Sequence, residues 1–125
     1  MTDLAAWLLE QIAEDEAVAR GVLTQRWDAI SFHDEARDDV PHIVRWSPAR
    51  VLAECAAKRA LVELHSDGGQ SDGYTGAGYG GVDHACLECG SFGEYGVAWP
   101  CSTLRALAQP YRDRPGWRDE WEVET

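Results

Sequence analysis

The chain has 125 residues, a net charge of −11 from 22 acidic against 11 basic side chains, and four cysteines. That length fits a single domain, residues 1–125, with room for one core. It holds no apolar run of the roughly eighteen residues a membrane-spanning helix needs, and its acidic N-terminus has neither the basic leader nor the cleavage site of a secretory signal. The expected compartment is the cytoplasm, where cysteines stay reduced and a Cys-x-x-Cys serves metal or redox chemistry.

Thr2–Arg20 has the pattern of an amphipathic helix. Leu4, Leu8 and Ile12 recur at four-residue spacing, with Trp7 and Val18 near the same stripe. Thr2 or Asp3 can cap its start, Glu10, Glu14, Asp15 and Glu16 form a solvated face, and Gly21 is a natural stop. Beyond it, Trp27, Ile30 and Phe32 suggest one strand, and Ile43, Val44 and Trp46, entered after Pro41, another. With the polar HDEARDD between them they make a small β-hairpin.

Ser47-Pro48 is a strong helix start, with Ser47 as N-cap and Pro48 as first helical residue. This helix runs to about His65. Its inner stripe is Val51, Cys55, the Lys58 stem, Val62 and His65. Residues 67–82 form a flexible glycine-rich loop; within Ser66–Gly81, seven of sixteen residues are glycine. Its GAGYGG lacks the preceding strand, following helix and nearby cation of a phosphate-binding turn. After Pro100, Ser102 or Thr103 caps another helix through about Gln109. A short helix is expected after Pro115, with Trp117 and Trp121 on one face as core-covering aromatics or as a partner hot spot.

The chemistry concentrates in residues 82–101, VDHACLECGSFGEYGVAWPC, which have the form of a zinc knuckle. Cys86 and Cys89 place two thiolates on a tight turn, and Cys101 returns a third. Zinc takes four soft or borderline donors in a tetrahedron. The fourth is His65, His84 or Cys55. Cys55 and His65 lie about 15 Å apart along one helix and cannot share an ion. Cys55, inside the apolar stripe, belongs to the core. His65, at the helix end facing the core, is favoured over His84, which would have to fold back before the Cys-x-x-Cys turn. A redox Cys86–Cys89 pair would need to open a helix, and Gly90 suits a knuckle better.

Four protein donors make a closed, structural site, whereas a catalytic zinc keeps one position open. His33-Asp34-Glu35 with Cys86–Cys89 imitates a zinc deaminase, but no proline precedes the Cys-x-x-Cys. No G-x-S-x-G elbow is present. Between Arg59 and Arg105 there is no Lys or Arg, while Glu63, Asp67, Asp72, Asp83, Glu88 and Glu94 all fall there. Such a segment is poorly equipped to grip phosphates, so direct nucleic-acid binding is not expected. The acidity suits solubility, or a basic protein partner, including mimicry of nucleic acid in that partner's groove.

The segments EDEAVAR, SPARVLAECAAKRALVELH, the Cys86–Cys89 pair and PCSTLRALAQPYRDRPGWRDEW resemble an uncharacterised family of short acidic actinobacterial and actinophage proteins. The resemblance implies a one-histidine, three-cysteine pattern matching His65, Cys86, Cys89 and Cys101, without Cys55, and it implies no activity. The fold expected is α+β and mostly helical: three to four helices and a small β-hairpin, stapled by zinc. The expected function is non-catalytic, by contact with another protein, with a zinc hydrolase or deaminase as the alternative.

Overall fold

The computed structural model describes residues 3–24, 40–67, 86, 88, 89 and 99–123. In chain order these form α1 (Leu4–Thr24), α2 (Val40–Arg45), α3 (Pro48–Leu64) and α4 (Ser102–Ala108), then 3-10 turns at Gln109–Tyr111 and Asp119–Trp121. The architecture is mostly helical. Among the described residues there is no strand, only an isolated antiparallel bridge between Asp67 and Cys86. None of their helices is long and apolar enough to cross a membrane.

α1 starts where the Asp3 carboxylate accepts the Ala6 N–H at 2.7 Å, which satisfies one of the free donors of the first turn. Leu4, Trp7, Leu8 and Ile12 are all buried, and they pack with Cys55 and Val62 of α3 and Leu104 and Ala108 of α4. Three expectations for α1 change, one being Glu16, which is buried against Arg59 and not on the solvated face. Gly21 does not stop the helix, which continues to Thr24; one glycine inside a helix costs only about 1 kcal/mol. Val18 is 70% exposed instead of packed.

Of the expected hairpin, Trp27, Ile30, Phe32 and the HDEARDD tip lie outside the described residues. The second strand is replaced by α2, so Ile43 and Val44 are helical. Pro41 explains the difference. A proline in a first turn has no N–H to lose and a φ already set for helix. The Trp46 N–H then bonds to the His42 carbonyl at 2.9 Å, closing the last turn.

α3 follows the expectation closely. The Ser47 hydroxyl accepts the Arg50 N–H and Pro48 stands in the first turn. Cys55, Val62 and His65 are buried, while Val51 and Lys58 are half-buried. The Lys58 ammonium reaches the Tyr111 hydroxyl at 2.8 Å, so the stem lines the core edge while the charge stays at the surface. Polar clasps also tie α1 to its neighbours. Glu16, only 8% exposed, accepts the Arg59 Nε–H at 2.9 Å and a second Arg59 N–H on the same oxygen. Arg114 donates to Asp15 at 2.6 Å and to the Gln11 carbonyl at 3.3 Å.

The expected helix after Pro115 is instead a turn followed by the 3-10 turn at Asp119–Trp121. Gly116 forces this with φ +92°, a conformation that interrupts a right-handed helix. A Cβ at Gly116 would lie 2.5 Å from Trp7 Nε1. That close approach lets the Trp7 indole N–H bond to the Pro115 carbonyl at 2.9 Å. Trp117 and Trp121 still meet, edge to face at 5.6 Å, and both close on Trp7, at 5.8 and 5.2 Å. Trp121 is buried and Trp117 half-buried, so the pair covers the core as one of the two expected alternatives held.

Candidate metal centre

Three segments converge at the C-terminal end of α3. His65 is the residue at which α3 ends, with its backbone N–H bonded to the Leu61 carbonyl. Leaving the helix at this point turns the imidazole inward, where it is 8% exposed. Cys86 is held by the bridge to Asp67, two residues beyond His65. Cys101 occupies the N-cap position of α4 but makes no side-chain cap bond, so its sulfur is left to face the cluster.

The donor atoms of His65, Cys86, Cys89 and Cys101 all lie within 4.8 Å of one another. The Sγ atoms of Cys86, Cys89 and Cys101 each stand 3.4 Å from His65 Nδ1. Hydrogen bonding does not explain three equal contacts. A ring nitrogen has either one proton to give or one lone pair to offer, and so satisfies one sulfur. A shared central cation does explain them. With Zn–N of about 2.0–2.1 Å and Zn–S of about 2.3 Å, the N···S edge of a tetrahedron is about 3.6 Å. The group can therefore hold a metal ion, and its donor chemistry fits a borderline-soft divalent one.

Two features prepare the sulfurs. The Cys89 backbone N–H points at Cys86 Sγ at 3.4 Å, the geometry that suits a sulfur carrying negative charge. Without a cation, ionising Cys89 is unfavourable. Burial and the neighbouring Cys86 and Cys101 push its thiol up to about 12. A divalent cation reverses that balance by supplying the missing positive charge. None of the four cysteines is in a disulfide.

Residues 1–123 match a family described as a family of unknown function (DUF6221). The chain belongs to this family. Membership in DUF6221 assigns no activity. No curated protein and no solved structure matches the chain.

The structure of this DUF6221 member brings together all four residues favoured from sequence and leaves Cys55 elsewhere. Cys55 is 2% exposed, among Leu8, Ile12 and Val62 in the core cluster. Burial raises its thiol, with Glu16 and Asp15 adding to the effect, so it is a poor nucleophile and packs as a small hydrophobe. His84, the competing fourth donor, lies outside the described residues, as do His33, Asp34, Glu35 and GAGYGG. Sequence reasoning missed Trp99. Its indole N–H donates to the His65 carbonyl at 2.8 Å, fixing the backbone that carries the imidazole. Its position two residues before Cys101 was the available signal, since groups that orient metal ligands often sit beside them. The helix end at Cys101 was anticipated, but the cap is Cys101 itself and not Ser102 or Thr103.

Proposed function

We propose that this chain is a small non-catalytic zinc protein, in which the metal fixes the packing of α3 against α4 and the folded surface acts by contact with another protein. The observation that carries the proposal is the closed donor set. One imidazole nitrogen and three sulfurs lie within 4.8 Å of one another. Four protein donors fill a tetrahedron and leave no position for a water or substrate, which is the pattern of structural zinc. When bound, zinc would supply the charge that three neighbouring thiolates need. The chain's own residues do the rest: His65 carries α3 to the ion, Cys101 carries α4, and the Cys86–Cys89 turn closes the far side.

The test is metal content and coordination on protein purified without chelator. Elemental analysis should return one zinc per chain. Cobalt substitution should give the intense visible spectrum of a tetrahedral thiolate site. His65→Ala and Cys101→Ala should each lower the stoichiometry, whereas Cys55→Ser should leave it at one. Protein without metal would overturn the zinc assignment. A cobalt spectrum that responds to small anions would show an open position, and would favour a zinc hydrolase or deaminase instead.

A further inference from the structure

We propose that Cys89 is the point at which a hydroperoxide opens the metal centre, through a disulfide between Cys89 and Cys86 that releases the ion and unclamps α4 from α3. This inference rests on the zinc reading above and adds the regulation of that same site.

The four donors are not equally shielded. Cys86 and Cys101 are 1 and 2% exposed and His65 is 8% exposed, whereas Cys89 is half-buried and its neighbour Glu88 is exposed. The difference follows from what carries each donor. His65 ends α3 and Cys101 caps α4. Cys86 and Cys101 belong to the core cluster with Leu4, Leu8 and Leu104, while Cys89 packs only against its edge. In a zinc site every sulfur is a thiolate, the nucleophilic form of cysteine. Access therefore separates the three, and a reagent in solution meets Cys89 first.

Geometry also sets the partner for the second step. Cys86 and Cys89 share one turn, in which the Cys89 backbone N–H stands 3.4 Å from Cys86 Sγ. Joining the two sulfurs asks nothing of α3 or α4. Cys101 also lies within 4.8 Å, but its carbonyl accepts the Arg105 N–H at 3.0 Å as the first bond of α4. A Cys89–Cys101 bond would have to draw that helix end with it. Cys55 is out of reach, about 15 Å from His65 along the axis of α3 and 2% exposed in the core. The Cys86–Cys89 pair thus differs from a helix-opening oxidoreductase pair: it exchanges with the metal and not with a disulfide substrate.

The hydroperoxide is the oxidant, and the step balances with it. Cys89 Sγ attacks one peroxide oxygen, an S–O bond forms and the O–O bond breaks. The departing oxygen takes a proton from solvent and leaves as water, or as an alcohol from an organic hydroperoxide. Cys86 Sγ then attacks Cys89 Sγ, the S–S bond forms, and the hydroxide released is protonated to water. Two thiolates lose two electrons, and the peroxide takes them up with two protons.

The consequence follows from the donor count. Thiolates ligate zinc and disulfides do not, so His65 and Cys101 remain, too few for a structural site. The disulfide does not replace the clamp. It spans 3 residues, whereas the donors joined by the ion are 21 and 36 residues apart. α1 and α3 stay together through Leu8, Ile12 and Val62 and the Glu16–Arg59 pair, so the element let go is α4. A thiol reductant reverses the change, because Cys86 traps Cys89 before it reaches the irreversible acids.

The test treats full-length protein of measured zinc content with hydrogen peroxide. A chromogenic chelator reads zinc release, and alkylation in denaturant with peptide mass spectrometry reads each thiol. Zinc should leave in step with the loss of two thiols. The product should be a Cys86–Cys89 disulfide, with Cys55 and Cys101 still alkylated. Dithiothreitol with added zinc should restore both the metal and the melting temperature. Cys89→His keeps four zinc donors and should slow the release at least about tenfold. Cys86→His should stop the reaction at a sulfenic acid on Cys89 that dimedone captures. If either variant fails to bind zinc, the wild-type thiol map decides alone. The proposal is overturned if the first disulfide includes Cys101 or Cys55, or if zinc leaves with all four thiols intact. It is also overturned if zinc stays bound at a peroxide concentration that oxidises glutathione in the same sample. Zinc-loaded protein that resists peroxide defeats this inference alone, whereas a chain without zinc defeats the zinc assignment.

Discussion

If the centre holds zinc as proposed, removing the ion should cost this fold a large share of its stability, and the sequence separations at the site give the size of the loss. His65 and Cys86 are 21 residues apart, and His65 and Cys101 are 36 apart. Between Cys89 and Cys101 the separation is 12. One ion bound to all four residues closes loops of 21 and 12 residues, besides the short Cys86–Cys89 turn. Treated like cross-links, they remove denatured-chain entropy worth about 3.3 and 2.8 kcal/mol, or about 6 kcal/mol together. Domain stabilities are about 5–15 kcal/mol, so the clamp is of the same order as the whole. For a chain of this size each kcal/mol moves the melting temperature by about 3–4 °C, and stripping the metal should lower it by about 20 °C. The assay is a circular dichroism melt before and after a strong chelator, with elemental analysis on the same samples and zinc restored at the end. Confirmed loss of the metal with a shift under about 5 °C would refute the reasoning. It would mean that the packing of Leu104 and Ala108 on α1 holds α4 in place without the clamp.

Gly116→Ala should destabilise by about 3 kcal/mol in urea unfolding. It forces an L-residue into left-handed backbone at about 1–2 kcal/mol and pushes Trp7 off the Pro115 carbonyl at about 1–3 kcal/mol; a change below about 1 kcal/mol would contradict the close approach at this position. Gly21→Ala should stabilise by about 0.5–1 kcal/mol, because the new methyl group would meet nothing within 4 Å, and an unchanged or lowered melting temperature would count against a helix reaching Thr24. Hydrogen bonding from Arg59 holds the Glu16 carboxyl below its ordinary range, opposed by burial and aided by the charges of Arg59 and Arg20. A depressed carboxylate pKa stabilises above the unfolded value and ceases to do so as pH falls through the folded one. Glu16→Gln should accordingly cost about 1–2 kcal/mol at neutral pH, and in parallel melts the gap from wild type should close in acid; a gap that persists there would argue against the ion pair.

The parts legible from sequence were those fixed by local chemistry. Ser47-Pro48 announced α3 because cap and first-turn preferences act within a few residues. Cys86, Cys89 and Cys101 announced the centre because soft donors at knuckle spacing have few other uses, and axial rise alone kept Cys55 and His65 from sharing an ion. The misread parts were settled by longer-range or competing terms. Ile43 and Val44 have β-branched side chains, but Pro41 fits the first turn of a helix equally well and α2 formed. Val18 lies near the right helical line for burial yet is 70% exposed, because spacing along a helix does not say how far along its length that line is covered. The path after Pro115 turns on one contact, between Gly116 and a tryptophan more than a hundred residues earlier.

That contact also bears on the order of events during synthesis. Trp7 leaves the ribosome early, while Pro115, Trp117 and Trp121 leave late, 108 residues on for the hydrogen-bonded carbonyl. The nascent chain therefore carries the Trp7 indole uncovered until Trp117 and Trp121 have been made. The four candidate donors are complete at Cys101, before Pro115 is made, so an ion held by them as proposed would draw α3 and α4 together before the aromatic lid reaches Trp7.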